Sequence, residues 1–123
     1  MKNIILKLII VIAVPSLLMA DVTAPTITAT SVAADNSTIS VTFNEAVYTA
    51  TGANTAVVVG DFALSISGGQ ATLSSATPSS ISKSGNVYTL GLSTSGTANG
   101  SETLTVVPAD TTAIYDAANN AAS

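Results

Sequence analysis

The sequence predicts an all-β protein that folds as an antiparallel β-sandwich of one domain. Beyond the first twenty residues, apolar residues recur at every second position and not with the period of a helix. The alternating segments are short, and turns containing Gly, Asn or Pro separate them. The roughly 100 residues that follow position 20 also fit the usual size of such a sandwich.

The first twenty residues have the pattern of an export signal. Lys2 and Lys7 supply the positive start, Leu8–Val14 is an unbroken apolar run, and small Ala20 precedes Asp21. The run is shorter than the roughly 20 residues that a membrane span needs. We therefore expect a signal peptide over residues 1–20, a domain over residues 21–123, and an extracellular or cell-surface location. A retained membrane anchor is the competing interpretation.

The alternating segments predict six strands. In chain order these are Thr26–Thr30, Ser37–Phe43, Asp61–Ser67, Gln70–Ser74, Val87–Ser93 and Thr103–Val107.

The first strand follows Pro25, and the turn Ala34–Ser37 leads into the second, because Asp and Asn side chains bond the backbone of turns. The second strand has the clearest alternation, with Ile39, Val41 and Phe43 on the inward face.

The remaining strands are bounded by Gly and Pro. Gly68 and Gly69 predict a tight hairpin that joins the third strand to the fourth. The turn Ser84–Asn86 precedes the fifth strand, and Pro108 ends the sixth. Ala56–Val59 is apolar but too short for its period to distinguish a strand from a packed loop.

Three motifs occur in order along the domain. They are DVTAPTI at residues 21–27, VTFNEAV at 41–47 and YDAANNA at 115–121. Together these motifs resemble the bacterial Ig-like repeats of large secreted and cell-surface proteins, and the resemblance covers residues 21–123. It implies an Ig-like sandwich of seven strands, no enzymatic activity, and neighbouring Ig-like domains or subunits as partners.

The last motif departs from the family in two ways. The family has Gly where this chain has Asn119, at a position expected to be left-handed, and Asn tolerates that conformation next best. In relatives a final strand follows this turn, whereas here only Ala121–Ser123 remain. We therefore expect an Ig-like sandwich that lacks its final strand.

Charge and composition exclude several functions. Residues 21–123 carry one base, Lys83, and seven acids, a net charge of −6. Such a chain cannot neutralise a nucleic-acid backbone or bind an anionic membrane surface. It has no His or Cys, so a Ser-His-Asp or Cys-His site is impossible. The sequence thus predicts no enzyme.

Calcium is the one metal that the sequence could bind. Asp21, Asp110, Asp116 and Asn120 are candidate oxygen ligands if the ends of the domain converge. The sequence has no calcium-loop motif. The alternative, which we favour, is that Asp116 and Asn120 cap a turn through bonds to the backbone.

Three functional hypotheses remain. The first is a non-catalytic, exported structural or adhesion module, the first Ig-like repeat of a longer surface or secreted protein. The second is a self-assembling subunit completed by a strand donated by a neighbouring chain, with Asp21–Thr30 as the donor. The third is a carbohydrate-binding module in which Tyr48 stacks on a glycan.

Overall fold

The structure is a computed structural model that describes residues 19–123. The predicted signal segment therefore falls almost entirely outside the described residues. The eight strands are β1 Ile27–Val32, β2 Thr38–Phe43, β3 Phe62–Ser67, β4 Thr72–Leu73, β5 Ile81–Ser84, β6 Val87–Gly91, β7 Thr94–Ser95 and β8 Thr103–Pro108. A 3-10 turn at Val59–Asp61 leads into β3. Within residues 19–123 no helix is long and apolar enough to cross a membrane.

The larger sheet has four antiparallel strands in the order β1-β2-β6-β5. Its centre is the pair β2–β6, in which Ile39 lies opposite Leu90 and Val41 opposite Tyr88. All four side chains are buried, because alternate residues of a strand share one face. The alternation predicted for these two strands is confirmed.

The facing layer consists of β3 paired antiparallel with β8, together with the small pair β4–β7. Leu64 of β3 lies opposite Val106 of β8, and both side chains enter the core. The predicted hairpin from the third strand into the fourth is wrong. Gly68 and Gly69 do turn the chain with positive φ, but the strand that follows pairs with β7.

Strand β5 was not predicted. Residues 81–84 read Ile-Ser-Lys-Ser, a segment with a single apolar residue that lies outside the six predicted strands. The structure places Lys83 in β5, opposite Tyr88, where its ammonium lies 5.6 Å from the ring centroid. The predicted turn at Gly85 is confirmed and forms the β5–β6 hairpin.

Three aromatic residues form the centre of the core. The rings of Phe43, Phe62 and Tyr88 lie 5.8–6.3 Å apart, centroid to centroid. Edge and tilted contacts of this kind stabilise by about 0.5–1.5 kcal/mol beyond the burial of the rings. The Tyr88 hydroxyl donates to the carbonyl of Val47 at 3.3 Å, so its polar atom is also satisfied. The prediction that Phe43 lies on the inward face of its strand is confirmed.

The segment that was left open, Ala56–Val59, is a packed loop. Val57 is buried, whereas Val58 is exposed. The chain then enters the 3-10 turn, so the apolar run supplies one core residue and no strand.

The last ten residues fold back on themselves. Tyr115 pairs with Tyr48 on one side and with Ala121 on the other. The N–H of Ala122 donates to the carbonyl of Ile114 at 2.8 Å, and the Ala122 side chain is buried. Residues 121–122 therefore begin an antiparallel strand beside Ile114 and Tyr115.

Candidate functional site

The candidate site is the acidic end of the sandwich, where the segment before β1 meets the turn at residues 116–120. Asp21, Glu45 and Asp116 each place a carboxylate oxygen within 4.8 Å of the other two. Asp116 is fully buried, Glu45 is half-buried and Asp21 is exposed. Asp21 and Asp116 are among the candidate ligands that the sequence offers, whereas Glu45 is not one of them.

Asn120 donates hydrogen bonds to one carboxylate of this cluster. Its backbone N–H donates to Asp116 Oδ1 at 2.8 Å, and its side-chain amide donates to Oδ2 at 2.7 Å. The carbonyl of Asp116 accepts the N–H of Asn119 at 3.3 Å. Asp116 thus caps the turn through its bond to the backbone N–H of Asn120, as predicted, whereas the Asn120 side chain makes no bond to the backbone of that turn.

The same Asn120 amide fastens the start of the domain. Its nitrogen donates to the carbonyls of Asp21 at 3.0 Å and Thr23 at 3.4 Å. Asn44 adds a second fastening, because its Oδ1 accepts the N–H of Thr26 at 2.7 Å. The first and third sequence motifs thus meet at one end of the molecule, and the second motif contributes Asn44 and Glu45.

Asp110 does not join the other predicted ligands. It ends the segment after β8, where its Oδ1 accepts the N–H of Thr112 at 2.6 Å and the Thr112 hydroxyl at 2.7 Å. These two bonds hold the pKa of the Asp110 carboxyl below its usual value, the bond to the hydroxyl being the larger cause. Its side chain serves a local turn.

The chemistry of the cluster permits a cation. Carboxylate oxygens are the ligands that calcium prefers, but calcium needs six to eight oxygens in all. Asn120 presents its amide nitrogen to this cluster, not its oxygen, and so acts as a hydrogen-bond donor to Asp116. The cluster consequently offers three carboxylates, one of which already has hydrogen bonds to both oxygens.

Asn119 adopts the left-handed conformation that its alignment with a family Gly predicted, with φ of 71°. Its side chain also makes a long-range contact. Oδ1 of Asn119 accepts the N–H of Gly52 at 2.7 Å and so links two loops that lie 67 residues apart in the chain.

Glu102 organises the opposite end of the sandwich and was missed by the sequence reasoning. Its carboxylate accepts N–H bonds from Gln70, Ala71, Asn99 and Gly100 at 2.8–3.1 Å. These backbone donors lower the pKa of Glu102 to about 2, and those of Ala71 and Gln70 contribute most. The sequence signal that could have identified Glu102 is an acidic residue at the end of a Gly- and Asn-rich loop.

Asp61 was also missed. It is buried, and its two oxygens accept the Thr49 hydroxyl and the N–H of Val58, each at 2.8 Å. It secures the 3-10 turn before β3. Like Glu102, it is an acid whose function is to satisfy the donors of neighbouring loops.

Lys83, the one base of residues 21–123, is exposed on β5, and its ammonium lies over the Tyr88 ring.

Comparison with known proteins agrees with the architecture. The family model of the bacterial Ig-like domain matches residues 18–123. The chain belongs to the bacterial Ig-like domain family. Domains of this family are generally non-catalytic structural modules of extracellular or surface proteins. No curated protein and no solved structure matches this bacterial Ig-like domain significantly.

Proposed function

We propose that the protein is an exported, non-catalytic structural or adhesion module of a secreted or surface protein, and the first Ig-like repeat of that protein. The observation that carries the proposal is the family match over nearly the whole domain. The export pattern at residues 1–20 supports it. The composition fits the same role, because a hydroxyl-rich surface with a net charge of −6 favours solubility outside the cell.

The acidic end of the sandwich suits a module that must keep its shape. Asn120 binds the first residues of the domain to the turn at residues 116–120, and Asn44, which follows β2, binds Thr26. A domain whose start is fastened to its end transmits force through side-chain and backbone hydrogen bonds as well as through its sheets. Spacing between surface elements requires this kind of rigidity.

The test of export is the accessibility of the domain on intact cells. We expect an antibody against residues 21–123 to label intact cells or to detect the protein in the medium. The matched control is Val11→Asp, which places a charge in the apolar run and should retain the protein inside the cell. Labelling only after lysis of cells that make the unaltered protein would contradict the proposal.

Carbohydrate binding has less support. Stacking on a sugar needs an exposed aromatic face. Phe43, Phe62 and Tyr88 pack against one another in the core, and Tyr48 and Tyr115 are half-buried in a paired segment. Binding to a glycan array that disappears in Tyr48→Ala would favour this alternative.

Assembly by strand donation also has less support. The proposed donor, Asp21–Thr30, is engaged within its own domain, since β1 pairs with β2 and Asn120 holds Asp21 and Thr23. A donor from this segment would have to leave those partners.

A further inference from the structure

The chain contains one Asn-Gly pair, at residues 99–100, and both residues are exposed. Asn is a thermolabile residue, because the backbone nitrogen of the residue that follows can attack its side-chain carbonyl carbon. A glycine in that next position has no Cβ and obstructs the attack least. Every other asparagine of the sequence is followed by a larger residue.

The loop around this pair has room for the reaction. Residues 96–101 are exposed, and Gly100 adopts a φ of 85°. No atom beyond its chain neighbours lies within 4 Å of the place where a Cβ of Gly100 would stand. The side-chain oxygen of Asn99 accepts the N–H of Ser101 at 3.0 Å, which folds the side chain back over its own backbone.

Glu102 opposes the reaction. Its Oε2 accepts the N–H of Gly100 at 2.9 Å, and both carboxylate oxygens lie 3.1 Å from the backbone nitrogen of Asn99. The Gly100 nitrogen can attack only after it loses its proton, and an amide anion beside a carboxylate is disfavoured by repulsion between like charges. The nitrogen must also turn away from Glu102 and give up a hydrogen bond to a charged acceptor.

The hydrogen bond from Ser101 acts in the opposite direction, because a donor to the Asn99 carbonyl makes its carbon easier to attack. That bond joins two neutral groups, whereas the bond from Gly100 has an ionised acceptor and is about twice as strong. Glu102 remains ionised at neutral pH, since backbone N–H donors, that of Ala71 first, lower its pKa to about 2. A carboxylate of such low pKa is also a weak base, so Glu102 should slow the reaction and not promote it.

We propose that Asn99 is a site of spontaneous deamidation and that Glu102 sets its rate. The Gly100 nitrogen loses its proton and forms a bond to Cγ of Asn99. The C–N bond of the side-chain amide breaks, and the amide nitrogen leaves as ammonia with that proton. Water then adds to one of the two carbonyls of the cyclic imide and opens the ring to aspartate or isoaspartate. This inference is independent of the proposed function.

Isoaspartate at position 99 releases two loops that Glu102 joins. The backbone nitrogens of Asn99 and Gly100 share one carboxylate, and isoaspartate adds one carbon atom to the main chain between them. Both nitrogens can then no longer reach Oε2 together. The link from this loop to the N–H groups of Gln70 and Ala71 therefore weakens, whereas aspartate leaves the backbone unchanged.

The experiment follows deamidation of the purified protein during incubation at neutral pH and physiological temperature. Mass spectrometry of proteolytic peptides measures the reaction at each asparagine, and labelling by a methyltransferase that recognises isoaspartate separates the two products. Asn36 is the internal control, because it is also exposed in a turn and is followed by Ser37. The same measurement on the protein unfolded in urea gives the rate without Glu102 in place.

We expect Asn99 to deamidate at least about tenfold more slowly in the folded protein than in urea. Glu102→Gln removes the charge and should speed deamidation of Asn99 about tenfold or more, with the rate at Asn36 unchanged. The matched control is Glu45→Gln, at the only other glutamate of the chain, which should leave both rates at the parental values.

The isoaspartate form provides a second measurement. It is separated by ion exchange, and its amide hydrogen exchange is compared by NMR with that of the fresh protein. Exchange at Gln70 and Ala71 should be faster in the isoaspartate form, because their shared acceptor is no longer held in place. Parental exchange at both amides would overturn the proposed release of the loops.

Two further results would overturn the inference. The first is a rate at Asn99 that is equal in the folded protein and in urea. The second is a rate in folded Glu102→Gln that is the same as in the parent or lower. Faster deamidation at Asn36 would show that Glu102→Gln has lost its fold, and the comparison of the folded and unfolded parent then decides alone.

Discussion

The amide of Asn120 donates to Asp116 Oδ2 at 2.7 Å while the backbone N–H of the same residue donates to Oδ1 at 2.8 Å. The carboxylate of Asp116 thus accepts two hydrogen bonds from Asn120, and Asp116 has no exposed surface. The same amide nitrogen reaches the carbonyls of Asp21 and Thr23. This pair therefore joins the last turn of the domain to its first residues.

Replacing Asp116 by Ala should lower the free energy of unfolding by about 2–4 kcal/mol. The change removes two bonds to a charged group and leaves the part-buried backbone N–H of Asn120 without its acceptor. Urea denaturation of the mature protein measures the loss. The control is Asp110→Ala, which removes an exposed turn cap and should destabilise the protein much less. Equal losses in the free energy of unfolding of the two variants would contradict the stabilising role of Asp116.

Asn119 offers a test that separates backbone strain from a side-chain bond. Asn119→Ala should destabilise the domain by about 2 kcal/mol, because Ala disfavours positive φ and cannot accept the N–H of Gly52. Asn119→Gly loses the same bond but removes the strain, so its effect should stay within about 1 kcal/mol of zero. Thermal and urea unfolding compare the two variants. If Asn119→Gly destabilised the domain as much as Asn119→Ala, the lost hydrogen bond to Gly52 would be the main cause of the destabilisation.

The stability of the domain should depend on Glu102 in acid. The backbone N–H groups of Ala71, Gln70 and Asn99 lower its pKa from 4.5 to about 2 in the folded state. A group with a lowered folded pKa stabilises the protein fully above its unfolded pKa, and this stabilisation is lost as the pH falls from 4.5 toward 2. Glu102→Gln should flatten the pH dependence of unfolding in that window.

A matched variant for this experiment is Glu45→Gln, which also removes one carboxylate, but one that accepts the Asn44 side-chain amide and not a set of backbone N–H groups. Glu45→Gln should leave the pH dependence between 4.5 and 2 closer to that of the parent. The shifts at Asp35 and Asp110, which have hydrogen bonds to Ser37 and Thr112, act in the same direction and remain in both variants. A parental slope in Glu102→Gln would show that its carboxylate does not carry the effect.

Calcium should leave the melting temperature unchanged. Asp116 already accepts two hydrogen bonds, and Asn120 turns a nitrogen toward the cluster of Asp21, Glu45 and Asp116. Differential scanning fluorimetry in calcium and in chelator measures the difference. A rise in melting temperature that Glu45→Gln abolishes and Asp110→Asn preserves would instead assign a calcium site to the clustered carboxylates.

The sequence predicted strands best where their alternation is strong. In β2, Ile39, Val41 and Phe43 occupy every second position, and each is buried. In β5 the only apolar residue is Ile81, so periodicity gave no signal there. That strand forms because Gly85 returns the chain beside β6, and its backbone pairs regardless of side-chain polarity.

Partners of strands were harder to predict than strands. The pair Gly68-Gly69 favours a tight hairpin, yet β4 pairs with β7, about twenty residues further along the chain. Local residues determine that the chain turns. Long-range pairing determines the partners: β3 pairs with β8, and the strand that follows the turn pairs with β7.

The sequence by itself determined the fold class, the core faces of the central strands and the turn at residues 116–120, because each depends on the order of a few neighbouring residues. Only the tertiary structure decided that Asp21, Glu45 and Asp116 meet while Asp110 lies apart, and that Glu102 bonds to residues 31 and 32 positions earlier in the chain. These features depend on how the two sheets are stacked, and stacking is the sum of many long-range contacts that no local pattern records.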